Sequence, residues 1–451
     1  MKDIKTYPAI CCDSRKVTPG CLFIAVKGTK ADGNEYAQAA RDAGAADVVS
    51  ADRRGLAMMA DEFYGHPSGK LKLVGITGTN GKTTTVTLLY NLFRNLGYEC
   101  GLLSTIANFV GTRRSETENT TSDPITINRL LSEMVDAGCE YCFMEVSSIG
   151  IEQERIAGLE FTAGIFSNIT HDHLDYHGTF AEYMRCKKMF FDNLPSGATA
   201  IINTDDRNGE IMVQNTKASV VTYSCRSGAD HNCRIMEQSF EGMLLRIDGT
   251  ETWTRLVGKH NAYNALAIYT TALVLGAEKE ETLVALSRLE PAKGRLETMR
   301  GPRGLNVIID YAHTPDALEN VLSTLREVAP EQELWCLFGC GGDRDRTKRP
   351  EMAAIAEKKA DRIIITSDNS RTEKTEDIME DIRKGLGTSG LAKAVFIADR
   401  KEAIRTAILM ARPGTTILLA GKGHETYQII GSVKNRFDER EIVNDVFKNI
   451  N

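Results

Sequence analysis

The residues best equipped for chemistry are Gly75-Ile76-Thr77-Gly78-Thr79-Asn80-Gly81-Lys82-Thr83-Thr84-Thr85. An apolar run with Leu71, Leu73 and Val74 precedes them, and Val86 to Leu96 follows with apolar residues at helical spacing. Strand, glycine-rich turn and helix together predict a phosphate-binding loop. Glycines let the backbone approach the phosphates, and amide N–H groups at the helix start point at them. Lys82 is expected to reach the β- and γ-phosphates as a point charge, and Thr83 to place its hydroxyl on Mg²⁺. The general pattern wants glycine at position 76, where Ile76 stands, so Gly78 must serve the turn.

Other polar clusters follow predicted strands. Glu145 ends Tyr141 to Val146, where a carboxylate can hold a hard cation through oxygen. Ser167 to His177 carries three histidines and two aspartates, without the H-x-x-x-H spacing or cysteine partners that zinc favours. One imidazole and carboxylates around Mg²⁺ or phosphate suit it better. Lys187-Lys188 reads by itself as a solvated pair on an amphipathic helix. Farther on, Gly339 to Arg346, Asp368-Asn369-Ser370-Arg371 and Gly421-Lys422-Gly423-His424-Glu425 each follow an apolar run. Arginine, acid and glycine at three strand ends would suit a zwitterionic ligand such as an amino acid. Cys139 and Cys142 have the C-x-x-C spacing but no second pair nearby, and Cys11-Cys12 read as small residues of a strand.

These clusters need positioning elements. At 451 residues the chain has room for about three domains. Residues 1–67 read as a small α/β domain, with strands at 9–12, 21–26 and 47–50 and Pro67-Ser68-Gly69 as a linker. Residues 68–300 alternate strands (141–146, 163–166, 198–202) with helices (123–137, 179–193, 261–275), around a β-rich insertion at 220–247. Alternation predicts a parallel sheet whose strand ends share one ligand crevice. Residues 301–451 repeat the plan, with strands at 307–310, 334–338, 362–366, 394–398 and 416–420. The fold class is therefore α/β with three domains: a small N-terminal one, a central P-loop domain and a C-terminal doubly wound one. A net charge of −6 argues against nucleic acid as partner. The start lacks a signal-peptide core, no apolar run reaches the ~18 residues of a membrane span, and eleven scattered cysteines read as free thiols. A cytoplasmic protein is expected.

Thr77-Gly78-Thr79-Asn80-Gly81-Lys82-Thr83-Thr84, Asp13-Ser14-Arg15, Asn119-Thr120-Thr121, Glu145-Val146-Ser147-Ser148, Asn168-Ile169-Thr170 and Asp310-Tyr311-Ala312-His313-Thr314-Pro315 resemble the Mur ligase family over nearly the whole chain. The resemblance implies an ATP- and Mg²⁺-dependent amide ligase of cytoplasmic peptidoglycan-precursor synthesis, acting as a monomer. Through an acyl phosphate it would add meso-diaminopimelate to the D-Glu of UDP-MurNAc-L-Ala-D-Glu. It implies Lys82, Glu145, His173 and Lys187 as catalytic. It assigns metal ligation to Thr83, Glu145, His173 and a carbamylated Lys187. ATP would meet Gly78, Thr79, Asn80, Gly81, Lys82, Thr83, Thr84, Asn264, Arg295 and Asp310. The UDP-sugar-peptide would meet Cys12, Ser14, Thr29, Lys30, Ala31, Asn119, Thr120, Thr121, Ser147, Gln153 and Arg155. Arg344, Asp368, Asn369, Ser370, Arg371, Gly421 and Glu425 match positions that bind diaminopimelate.

The sequence departs from the family at three places. Ser370 replaces the proline of Asp-Asn-Pro-Arg, Ile149 stands for a histidine, and Lys259-His260 precedes Asn261 where an aromatic is usual. The alternatives are ligation of L-lysine or another amino acid, and a divergent paralogue with another acceptor. The nucleotide-sugar domain argues against a folate ligase. Joint retention of Lys82, Glu145, His173 and Lys187 argues against a non-catalytic scaffold.

Overall fold

A computed structural model of the chain describes residues 3–28, 32–170 and 174–450. The chain packs as two compact units, Met1–Arg234 with Tyr263–Ser287, and Ile235–Ala262 with Arg288–Asn451.

In the first unit, β1 (Ile10–Cys11), β2 (Leu22–Val26) and β3 (Asp47–Ala51) form a parallel three-stranded sheet. Leu22 and Ile24 face one apolar cluster with Ile4, Ile10 and Leu56, while Phe23 and Ala25 face another with Ala40. That split follows from the two-residue period of a strand. Pro67-Ser68-Gly69, read as a linker, is packed against the unit. Pro67–Lys70 is a 3₁₀ turn in which Pro67 and Ser68 are buried, and Ser68 Oγ accepts the Glu160 N–H at 3.0 Å. Proline at the first helical position and a satisfied hydroxyl make this turn a packed part of the unit.

The larger sheet of this unit holds β4 (Lys72–Thr77), β5 (Cys100–Leu103), β6 (Tyr141–Glu145), β7 (Phe161–Phe166), β8 (Thr199–Asn203) and β9 (Ser219–Ser224). They run parallel in the order β9-β8-β7-β4-β6-β5. The central strands β4, β6 and β7 are buried along nearly their whole length, as expected where helices cover both faces. Among these helices are α1 (Lys82–Asn95), α2 (Pro124–Asp136) and α3 (Phe180–Asp192); α4 (Lys259–Val274) belongs to this unit from Tyr263 on. Asp123 and Thr179 cap α2 and α3 through their side chains, which sets where each begins. Consecutive strands leave β4 in opposite directions, so β4 marks the switch point where such sheets collect ligands. Register makes the ends level: Ile76 pairs with Glu145, and Thr77 with Phe166.

In the second unit β10 (Glu297–Arg300) runs antiparallel to β11 (Asn306–Asp310). The order continues, all parallel, through β15 (Thr416–Ala420), β12 (Leu334–Phe338), β13 (Arg362–Ile365) and β14 (Ala394–Phe396). Alternate residues feed two cores: Val307, Ile309 and Leu337 one, and Ile308, Cys336 and Phe338 the other. A fully buried valine, isoleucine, leucine or phenylalanine among them contributes about 1.5–3 kcal/mol. Asp310 pairs with Ala420, so Tyr311, Gly421 and the segments after Phe338 and Ile365 emerge along one edge. Among the described residues no helix is long and apolar enough to cross a membrane.

Candidate active site

The loop between β4 and α1 starts where Gly78 approaches the segment after β7. A Cβ at Gly78 would collide with Ser167 Oγ. Gly81 (φ +88°) stands before α1 in the left-handed region, and no side chain caps that helix. Its first-turn N–H groups therefore have no competing carboxylate or hydroxyl from a cap. The residues after β7 hold the loop from beneath. The Asn80 N–H donates to Asn168 Oδ1 at 2.9 Å, Asn168 Nδ2 donates to Asn80 O at 3.1 Å, and the Thr79 N–H donates to Asn168 O at 2.9 Å. The Ser167 hydroxyl donates to Asn80 O at 2.7 Å. Lys82 Nζ curls over the loop and donates to Gly78 O and Thr79 O, both at 2.8 Å. Thr83 and Thr84 are buried, and Asn264 on α4 lies against Gly81 and accepts from the Thr85 hydroxyl at 3.4 Å.

Lys187 corrects the reading of a solvated pair. It is 1% exposed, whereas Lys188 partners Asp192 on the outer side of α3. Lys187 Nζ donates to Gly78 O at 2.8 Å and stands 4.7 Å above the Tyr183 ring. The single-residue step from 188 to 187 turns the side chain about 100° around the helix, and sequence shows no partner for it because Gly78 is more than a hundred positions away. His173, Thr29, Lys30 and Ala31 lie outside the described residues.

Glu145 is wholly buried at the end of β6. Its Oε1 accepts the Thr105 N–H at 2.8 Å and its Oε2 accepts the Thr105 hydroxyl at 3.1 Å. Thr105, which no sequence signal marks, thus orients the carboxylate. The Thr105 and Thr120 hydroxyl oxygens also lie within hydrogen-bond distance, at 3.1 Å. Thr121 donates to Ser147 Oγ at 3.0 Å and accepts the Ser147 N–H at 2.9 Å. Arg155 donates to Thr121 O at 2.6 Å and to Gln153 Oε1 at 2.7 Å. Thr120, Thr121, Glu145, Ser147, Gln153 and Arg155 therefore form one network beside the loop. Asn119 is exposed, as is much of the segment before it. In the N-terminal sheet region, Cys12 is partly buried and its thiol is pushed up to about 11, by burial and then by Asp123 and Asp13. Ser14 opens a short 3₁₀ turn capped by Asp13.

Hard oxygen donors, the Thr83 hydroxyl and the Glu145 carboxylate, suit Mg²⁺. Among the described residues no three His, Cys, Asp or Glu side chains converge as a metal cage. A magnesium ion held by one or two carboxylates and substrate phosphates needs none. Cys139 and Cys142 are buried free cysteines, and burial drives the Cys142 thiol well above its ordinary range.

The second unit gathers the other candidates. Asp310 accepts the Leu296 N–H at 2.7 Å and the Ala312 N–H at 2.8 Å, and burial raises its carboxyl above the usual range. It holds the turn that sets Arg295 over the Tyr311 ring at 4.9 Å. Asp368, Asn369 and Ser370 are buried after β13. Burial would raise Asp368, but Lys422 and then Arg400 hold it below the ordinary carboxylate range. A Cβ on Gly421 (φ +116°) would come within 2.6 Å of Asp368 Oδ2. Arg371 adopts left-handed backbone (φ +51°), an uncommon conformation for a residue with a side chain, and donates to Gly342 O at 2.8 Å. Arg344 is exposed and donates to its neighbour Asp343 O at 3.4 Å.

The loop that carries Arg344 is anchored by Glu373, another residue without a sequence signal. Glu373 accepts the Asp343 N–H at 2.6 Å and binds the fully buried Arg349 at 2.8 Å. Arg349 lowers the Glu373 carboxyl most, burial opposes it, and Asp343 and Arg346 add to the lowering, leaving about 2 against an ordinary 4.5. A carboxyl depressed on folding stabilises the protein above its unfolded value and stops doing so as pH falls through 4.5 toward 2. Thermal unfolding midpoints should therefore drop over that window. Glu373→Gln should be less stable near neutrality and show a flatter drop; an identical pH profile would rule out this contribution.

Three family descriptions match the chain: "Mur ligase family, catalytic domain" over residues 6–65, "Mur ligase middle domain" over 76–272, and "Mur ligase, glutamate ligase domain" over 294–423. The UDP-N-acetylmuramoyl-L-alanyl-D-glutamate–2,6-diaminopimelate ligase of Phocaeicola vulgatus is 49% identical, over 97% of this chain and 94% of that protein. The protein of the same name from Geobacillus kaustophilus is 40% identical over 97% and 94%. A solved structure of a ligase of that name superposes with a TM-score of 0.72 at 31% identity, over 98% of this chain and 95% of that one. The MurF ligase of Thermotoga maritima in complex with ADP shares the fold, with a TM-score of 0.67 at 18% identity, over 100% and 99%. The chain belongs to the Mur ligase family and is thus an enzyme of the ligase class.

Proposed function

We propose that this ligase adds meso-diaminopimelate to the D-Glu carboxylate of UDP-MurNAc-L-Ala-D-Glu with ATP, in the cytoplasm. The observation that carries this reading is the level ends of β4, β6 and β7. They set the phosphate loop beside the network of Thr120, Thr121, Ser147 and Arg155, so a phosphoryl donor and a carboxylate acceptor can share one crevice.

The D-Glu carboxylate attacks the γ-phosphorus; the bond to the ADP oxygen breaks and an acyl phosphate forms. The diaminopimelate amine then attacks the acyl carbon. The carbon–oxygen bond to phosphate breaks, the amine loses a proton, and an amide and inorganic phosphate result. Lys82 and the loop N–H groups offset charge on the phosphoryl oxygens, and Arg155 and its partners orient the acceptor. Magnesium supplies further neutralisation of the phosphates when bound; Thr83 and Glu145, with His173 and Lys187 as a carbamate, are the residues that would hold it. Asn264, Arg295 and Asp310 belong to nucleotide recognition in this reading.

Arg371 reads the distal carboxylate that diaminopimelate has and lysine lacks. Ser370 is buried where the family has proline, and the exchange removes no charge. The test is phosphate release with ATP, Mg²⁺ and UDP-MurNAc-L-Ala-D-Glu, run separately with meso-diaminopimelate, L-lysine, L-ornithine and no amino acid. Release should require diaminopimelate. Arg371→Ala should lower kcat/KM for it by about 10²–10³-fold, as expected for a lost charge pair. Release with lysine instead would keep the chemistry and overturn the specificity. Silence with all of them, in a protein that binds ATP, would favour a different acceptor.

A further inference from the structure

Lys422 lies between Gly421 and Gly423 just after β15, with no exposed surface. Its Nζ donates to Glu425 Oε2 at 2.9 Å and to Asn369 Oδ1 at 3.0 Å, and stands 3.4 Å from Asp368 Oδ1. An ammonium has three N–H donors, and these three acceptors use them all. Its effect is therefore exerted through the groups it holds.

Asn369 Oδ1 accepts from Lys422 and also from the Ile429 N–H at 2.8 Å. A flipped amide would set its NH₂ against an ammonium and a backbone N–H, so the oxygen must face inward. The amide nitrogen donates one hydrogen to Glu425 Oε2 at 2.9 Å. Its second hydrogen remains to be used. Glu425 Oε2 already accepts twice, which leaves Oε1, for which the described residues offer no hydrogen-bond donor. The result is one N–H donor beside one carboxylate acceptor. Lys422 set against Asp368 and Glu425 leaves one net negative charge. Arg371 adds a cation next to them, its Nη1 3.4 Å from Asn369 O. Donor beside acceptor, and cation beside net anion, complement the carboxylate and ammonium of one zwitterionic end of an amino acid.

We propose that Lys422 is a positioning residue for the incoming amino acid, turning Asn369 to donate to its carboxylate and Glu425 to accept from its ammonium. This rests on the reading of Arg371, Asn369 and Glu425 as the amino-acid site. The test compares KM for diaminopimelate with KM for ATP and for the UDP-linked substrate in Lys422→Met, Lys422→Arg, Asn369→Asp and Arg371→Ala, with thermal unfolding of each. Lys422→Met should raise the amino-acid KM roughly 10- to 100-fold, the worth of charged hydrogen bonds, and leave the other two KM values unchanged. Lys422→Arg should recover part of that loss. A folded Lys422→Met with an unchanged amino-acid KM, or with all three values moved together, overturns the proposal. Should Lys422→Met not fold, Asn369→Asp decides. It keeps the inward oxygen and replaces the outward N–H with an acceptor, and an unchanged amino-acid KM there overturns the proposal as well. If Arg371→Ala also leaves that KM unchanged, the site assignment itself falls; if Arg371→Ala raises it and Lys422→Met does not, only the role of Lys422 falls.

Discussion

Lys82→Ala should lower turnover by about 10³-fold or more, in line with the loss of a preorganised charge at a transferring phosphoryl group. The structure shows the side chain already committed to the loop, with Nζ 2.8 Å from both Gly78 O and Thr79 O. On the proposed reading, phosphate oxygens would replace the two carbonyls as its partners. The uncapped start of α1 contributes partial charge only, so no other group in the loop supplies a full positive charge. Lys82→Met, which keeps the stem, should be almost as inactive. Both variants should keep their unfolding temperature, because the ammonium is not part of an apolar core. Near-normal phosphate release in either variant would remove Lys82 from the chemistry.

The second large effect is expected at Lys187. Lys187→Ala should abolish measurable turnover, and Lys187→Arg should be no better. The two substitutions separate two roles. As an ammonium, Lys187 holds the loop through Gly78 O and lies over Tyr183. As a carbamate it would carry the opposite charge and offer oxygens to a cation. Arginine preserves a cation but cannot be carbamylated at physiological pH. Activity of the unaltered enzyme in CO₂-depleted buffer should rise when bicarbonate is restored. A Lys187→Arg enzyme with near-normal rates, or an enzyme indifferent to bicarbonate, would show that the loop needs a cation there and that the carbamate reading is wrong.

The phosphate loop was legible because all its parts are local. The glycines, the lysine and the hydroxyls stand within a few residues, and strand and helix periodicity flank them. Most strands of both sheets were equally plain, since a buried parallel strand is an unbroken apolar run. Leu334–Phe338 and Thr416–Ala420 have the ends that the sequence indicates. Pro67-Ser68-Gly69 has the composition of a linker, and its packing was not legible because the partners are distant, among them the Glu160 backbone some ninety residues away.

Residue type and order by themselves determined the α/β class, the place of the phosphate loop and the strand-end positions of the polar clusters. Those properties depend on periodicity and on neighbours in the chain. Only the tertiary structure decided which clusters meet. It buried Lys187 on Gly78, set Thr105 on Glu145, locked Glu373 under the Arg344 loop, and enclosed Lys422 among Asp368, Asn369 and Glu425. These contacts join residues far apart in sequence, apart from Lys422 and Glu425. They depend on strand register, which sets the ends of neighbouring strands level and which a single chain, read along its length, does not display.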